Sequence, residues 1–166
     1  DNSKLHVELS SRIGEGRVEF VTDTDFVADP AVIMAPRNSQ VMTGVELNDP
    51  LVKTLFSKIH PLFGVFTQPS GLIDVRLDSF WWPMGEEGKK EANFVAIFDA
   101  REIQLRNLPL LKNILTIFGL EKERLQLQDN EIYCIGKNGG VKCSPVRLEA
   151  GDSEIIVGGS VYQDSS

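Results

Sequence analysis

A chain of 166 residues, 42% hydrophobic and 25% charged, has enough apolar mass for one domain with its own core. Its net charge is −7 and its basic residues are scattered singly or in pairs such as Lys89-Lys90, so it lacks the basic stripe of a nucleic-acid binder. No run approaches the ~18 uninterrupted apolar residues of a membrane span, and the first residues have neither the charged nor the apolar region of a signal peptide.

The N-terminal stretch reads as strands. Leu5, Val7 and Leu9 alternate with polar residues, Gly14-Glu15-Gly16 punctuates, and Val18 and Phe20 resume the alternation. The expectation is a hairpin with one wet face. Asp23, Asp25 and Asp29 then crowd the region around Pro30, but they lack the further oxygen ligands, the placed glycine and the closing Glu of an EF-hand loop. They are expected as turn and cap residues rather than metal ligands.

Two short strands follow over residues 31–34 and 40–47, with Val41, Thr43 and Val45 on one face of the second. Asn48-Asp49-Pro50 is a helix-start signal, with Asp49 as the expected N-cap and Pro50 at the first helical position, where its missing N–H costs nothing. Leu51, Leu55, Phe56 and Ile59 form the apolar stripe of that helix, which Pro61 ends or kinks. Gln68-Pro69-Ser70-Gly71 reads as a loop.

From Gly71 the pattern is a strand: Ile73, Val75 and Leu77 point one way, while Asp74, Arg76 and Asp78 point the other. Two carboxylates flanking an arginine are read here as cross-strand ion-pairing partners rather than a catalytic set. Phe80-Trp81-Trp82-Pro83-Met84 contains both tryptophans. Adjacent aromatics on a strand cannot all face inward, so Phe80, Trp81 and Trp82 are the candidate contact surface for a lipid or a partner, the alternative being a plug for the open end of the core.

Residues 93–105 predict a central strand covered on both faces, because Phe94, Ala96, Phe98 and Ala100 share one side while Val95 and Ile97 are apolar on the other. Asn107-Leu108-Pro109 opens a second predicted helix, with Leu111, Ile114, Leu115 and Phe118 at helical spacing and Gly119 as the stop. Strands are then expected over 124–128, 146–148 and 154–161, with Gly151-Asp152 making the last turn.

Between them lies Glu131 to Cys143, EIYCIGKNGGVKC. Asn138-Gly139 favours a two-residue type I′ loop, since both residues accept φ > 0. Counting outward from that loop puts Cys134 opposite Cys143 on a non-hydrogen-bonded rung, where opposed Cα atoms sit ~4.5 Å apart, within reach of a disulfide. The alternative is two reduced cysteines on a half-buried face. Half of a metal site lacks the remaining ligands, as no His or further Cys lies nearby. A disulfide here points to an oxidising compartment.

Nothing in the sequence carries enzyme chemistry. Gly136-Lys137-Asn138-Gly139-Gly140 lacks the spacing and the following helix of a P-loop, and His6 and His60 sit in no metal or nucleophile motif. No catalytic residue, metal ligand or cofactor is assigned.

The second half, from residue 45 to 166, resembles the C-terminal region of AsmA-like proteins of the bacterial cell envelope, particularly the large planctomycete-type versions. The matching positions are Pro61-Leu62, the stretch from Gly71 to Leu77, Trp82-Pro83, Gly139-Gly140-Val141 and Gly159-Ser160-Val161. The cysteine pair is not part of the family pattern. The resemblance implies a non-enzymatic periplasmic module of a longer, membrane-anchored protein, with phospholipid or envelope proteins as partners. It also implies a β-sheet groove serving lipid transport or outer-membrane assembly. The alternative reading is a structural or protein-interaction module of a larger surface protein. The start at Asp1 fits a single domain, 1–166, excised from such a chain. For architecture the whole pattern predicts α+β, a curved, mostly antiparallel sheet of about seven to nine strands with two amphipathic helices on one face.

Overall fold

Alternating apolar and polar residues dominate the chain, and they build strands almost everywhere they occur. The structure is a computed structural model that describes residues 3–54, 66–85, 88–107, 116–117, 124–128, 131–150 and 153–162. Its strands are β1 (Lys4–Ile13), β2 (Gly16–Asp25), β3 (Val32–Ala35), β4 (Ser39–Glu46), β5 (Phe66–Pro83), β6 (Asn93–Asn107), β7 (Arg124–Leu127), β8 (Glu131–Lys137), β9 (Gly140–Ala150) and β10 (Ser153–Tyr162). Among the described residues the short helices α1 (Asp49–Thr54) and α2 (Gly88–Glu91) interrupt them.

All ten strands belong to one antiparallel sheet. They fill eight positions across it, because β3 and β4 share the place between β2 and β5, and β7 and β8 share the place between β6 and β9. The order is therefore symmetrical about the β5–β6 ladder: a hairpin, a broken strand and a long strand on each side. β1 and β10 are the two edges.

One face of this sheet, here the inner face, holds the core. Val45, Ile73, Val75, Leu77, Ala96, Phe98, Ile132, Val146 and Leu148 are buried on it. At one end α1 lays Val52 into the same cluster. The other face carries the polar residues of the alternation together with the exposed apolar side chains of Leu72, Trp81, Ile135 and Ile156.

The predicted α+β class with two amphipathic helices is corrected to an all-antiparallel β fold with ten strands rather than seven to nine. The reason lies in the lengths of β5 and β6. Gln68-Pro69-Ser70-Gly71, which reads as a loop, is bulged strand: the β5–β6 register shifts between Thr67 and Ser70 and again between Ser70 and Leu72. Gly71 sits at φ 117°, and a Cβ there would meet the Glu102 and Arg101 carbonyl oxygens at 2.7 and 2.8 Å, so the bend needs glycine. A bulge thus looks like a turn in sequence while the ladder runs on, giving strands of 18 and 15 residues.

The first helix is short where described, and its cap is Asn48 rather than Asp49. The Leu51 amide donates to Asn48 Oδ1 at 2.9 Å and the Val52 amide to the Asn48 carbonyl at 3.0 Å. The rest of that stripe, Leu55, Phe56 and Ile59, lies outside the described residues. So do Leu111, Ile114, Leu115 and Phe118 of the second predicted helix, of which Thr116 and Ile117 are helical and exposed. The Gly151-Asp152 turn also lies outside them.

In β4 the expected face of Val41, Thr43 and Val45 is broken by two register shifts against β5. Met42 pairs with Val75 and Val45 with Ile73 on the inner side, while Thr43 pairs with Arg17. Asp23 and Asp25 are strand residues rather than turn residues, although Asp25 Oδ1 does accept the Val27 amide at 2.9 Å where the strand ends. β6 is central, and Ile97 is buried on the outer face between the opposed Arg76 and Tyr133.

Candidate functional site

The inner face is mainly apolar from one edge of the sheet to the other. On β1 its row is Leu5, Val7, Leu9, Ser11 and Ile13, set opposite Thr24, Thr22, Phe20, Val18 and Gly16 of β2. On β10 the row is Ile155 and Val157, opposite Leu148 and Val146 of β9. Burial is complete in the middle and falls off at β1, where Leu5 is 49% and Leu9 61% exposed.

Aromatic rings gather on this face at the end away from α1. Phe20 of β2 meets Phe80 of β5 edge to face at 5.8 Å, and Phe80 stacks on Trp82 at 6.1 Å. Phe20 reaches across because residues 36–38 leave the sheet between β3 and β4 at its level. A small cavity of about 50 Å³ lies beside Trp82, Ala92, Phe94, Gly136 and Val141. Gly136 faces Phe94 directly, and a Cβ there would fall 2.0 Å from the ring, so the glycine makes room for the aromatic.

The three residues of the predicted contact surface do not act together. Phe80 and Trp82 turn inward, and Trp81 stands alone on the outer face, 40% exposed and opposite Met34, itself 36% exposed. A strict alternation from Ile73, Val75 and Leu77 would put Trp81 inside. The register shift between Leu77 and Ser79 reverses the phase and puts Phe80 and Trp82 there instead.

Cys134 and Cys143 are opposed as the loop count requires, with Cα atoms 4.0 Å apart and the sulfurs bonded. Asn138 and Gly139 take φ 54° and 71°, the left-handed pair of a type I′ turn. Both cysteines are buried in the inner cluster, at 1% and 5% exposure, so the bond is packed into the core and offers no accessible thiol chemistry.

The outer face carries a charged group that sequence alternation marks only in part. Asp74, Asp99 and Glu131 lie directly opposite one another across β5, β6 and β8. Asp74 accepts from Arg101 Nη2 at 2.8 Å and from the Gly44 amide. Glu131 accepts from the Tyr133 hydroxyl at 2.8 Å, and this bond to a carboxylate holds the phenol above its usual pKa of 10.0. Arg76 stands beside the row with Nε buried and without a hydrogen bond. The reading of Asp74 and Arg76 as cross-strand ion-pairing residues holds for Asp74, whose partner is Arg101, and not for the Arg76 Nε.

Gln40, Asp74, Arg76, Ile97, Asp99 and Glu131 line a shallow cavity of about 100 Å³. Neither histidine nor cysteine lines it, and among the described residues no set of three or more His, Cys, Asp or Glu is arranged to hold a metal ion. His6 sits elsewhere on this face, near the β1 edge. Its Nδ1 lies 2.7 Å from Asp23 Oδ1 and its Nε2 3.1 Å from Glu8 Oε1, and these two hydrogen bonds raise its pKa above 6.5. Among the described residues no helix is long and apolar enough to cross a membrane.

The half-open rim at Leu5 and Leu9, and the place of Phe20 beside Phe80 and Trp82, are what sequence reading missed. Their signal was present in the alternation of β1 and β2, but it also describes any ordinary half-buried hairpin. No protein-family model matches the chain, and no curated protein or solved structure matches it either.

Proposed function

We propose that the chain is a non-enzymatic module of the AsmA-like type, working on the periplasmic side of the bacterial inner membrane. Its inner face contacts the acyl chains of phospholipid, in lipid transport or in outer-membrane assembly. One observation carries this reading: the inner face is mainly apolar across the sheet and ends at β1 in two leucines that are about half exposed. The motif resemblance at Gly71 to Leu77, Trp82-Pro83 and Gly159-Ser160-Val161 supports the same assignment. The buried disulfide fits a protein made in an oxidising compartment.

The test is native mass spectrometry of protein purified from a periplasm under mild conditions, with extraction and identification of bound lipid. Phospholipid adducts are expected on the wild type and fewer on Leu5→Lys/Leu9→Lys. Absence of adducts from folded wild-type protein, or equal adducts on both, overturns the reading.

A second reading, a structural or interaction module of a larger surface protein, is favoured by the outward Trp81–Met34 pair. Tryptophan at an exposed position is a common anchor in protein interfaces. Trp81→Ala would then weaken a partner contact while leaving lipid adducts unchanged.

A further inference from the structure

The two edges of the sheet match each other in every respect that strand pairing requires. Adjacent strands alternate in direction across eight positions, so β1 and β10 run in opposite senses. A copy placed beside the first by translation therefore presents its β1 antiparallel to β10. An odd number of positions would have made that junction parallel.

The free backbone groups also agree. In β1 the two-residue Gly14-Glu15 loop makes Ile13 and Gly16 a hydrogen-bonded pair, so the odd residues bond to β2 and the even residues, Lys4 to Arg12, turn their N–H and C=O outward. In β10 the reference is the disulfide rung. Cys143 is not hydrogen-bonded to Cys134, so its backbone faces β10, where Gly159 is its partner. The odd residues of β10 thus bond to β9, and the even residues, Glu154 to Tyr162, face outward.

On both edges the even residues put their side chains on the outer face. Hydrogen bonding β10 to β1 consequently keeps Ile155 and Val157 on the same side as Leu5, Val7 and Leu9. Had either edge been out of phase, the pairing would have turned an apolar row into water.

Length and charge fit as well. Each edge strand has ten residues. Pairing Glu154 with Arg12 sets Val157 opposite Leu9, Ile155 opposite Ser11 and Tyr162 opposite Lys4. That register joins a carboxylate to a guanidinium and an ammonium to an aromatic ring. Neither edge carries a proline, and the bulge near Gly158 lies on the β9 side, where Ser144 and Pro145 together oppose one residue, so β10 itself stays regular. The charges on these edges, Lys4, Glu8 and Arg12 of β1 and Glu154 of β10, discourage indiscriminate pairing but are complementary in this register.

We propose that copies of this chain join head to tail, β10 of one to β1 of the next, continuing the sheet and its apolar inner face. The contact is heterologous, so it adds further copies instead of stopping at two. It does not depend on the lipid reading above, and the absence of bound lipid leaves it standing.

The 166-residue chain tests it by analytical ultracentrifugation over a concentration series. The expected wild-type result is a mass that rises from monomer through dimer to higher species. Glu8→Pro removes an outward N–H from β1 and Ile156→Pro one from β10, while the bonds of each strand to its own sheet remain. Each variant alone is expected to be monomeric. An equimolar mixture should form a 1:1 dimer that grows no further, through the intact β10 of the first variant and the intact β1 of the second. Should a proline variant lose its native circular dichroism, the charge variants Arg12→Glu and Glu154→Arg replace the pair, each weakening association alone and restoring it when mixed. A wild type that stays monomeric throughout overturns the proposal. So does association that survives in either edge variant alone, or that is lost on Trp81→Ala, which would place the contact on the outer face.

Discussion

Asp74 and Asp99 face each other directly across the β5–β6 ladder, two carboxylates on the same face of adjacent strands. Like charges at opposed positions destabilise a sheet, and Glu131 on the far side of Asp99 repeats the repulsion. Asp74 is relieved by Arg101 and Glu131 by Tyr133, whereas no hydrogen bond or ion pair of Asp99 is seen among the described residues. Asp99→Asn is therefore expected to raise stability by about 0.2–1 kcal/mol, less in high salt, read as a shift of the urea midpoint at low and high ionic strength.

The buried disulfide closes a short loop in the middle of the core. Cys134→Ala/Cys143→Ala is expected to lower stability by roughly 2–3 kcal/mol, the loop-closure contribution, with alanine chosen because a hydroxyl would be buried without a partner at either site. Urea unfolding of the wild type and the double variant checks this, and adding reductant to the variant should change nothing.

Both ring nitrogens of His6 lie within hydrogen-bond distance of a carboxylate oxygen, and only the imidazolium can donate to both. Its pKa is raised, chiefly by the Asp23 hydrogen bond and next by the one to Glu8. The support it gives the β1–β2 ladder is fully present below about 6.5, the unfolded value, and is lost as pH rises through the higher folded value. Proton NMR titration should find the His6 midpoint above 6.5 in the wild type and lower in Asp23→Asn, and β1 amides should exchange faster, relative to the intrinsic rate, on the alkaline side of that midpoint.

Gly136 is opposed to Phe94 with no space for a methyl group between them. Gly136→Ala must displace the ring toward Trp82 and is expected to cost about 1–3 kcal/mol, the range for overpacking a core. Near-ultraviolet circular dichroism, sensitive to the tryptophan environment, should change along with the thermal midpoint.

The parts of this fold that sequence reveals are those fixed within a few residues. The Asn138-Gly139 turn sets the hairpin register, and with it the facing of Cys134 and Cys143, because the turn type dictates which residues oppose. The alternation of Ile73, Val75 and Leu77 likewise marks a sheet with one polar face. What alternation cannot carry is its own interruptions. A bulge after Leu77 costs one residue of phase and exchanges Trp81 for Phe80 and Trp82 on the inner face, and Gly71 looks like the end of a loop although the strand runs through it. The row of Asp74, Asp99 and Glu131 joins residues from three strands, and no local pattern records which strands become neighbours.

The broken strands on either side of the β5–β6 ladder bear on how the chain assembles. Every pairing in the sheet joins strands no more than two places apart in the chain. No distant segment has to be captured before the sheet can grow, so the loop-closure entropy of each step is small for so large a β structure. The central β5–β6 pair and the edge pairs β1–β2 and β9–β10 are all between consecutive strands, so none of them depends on another being in place first.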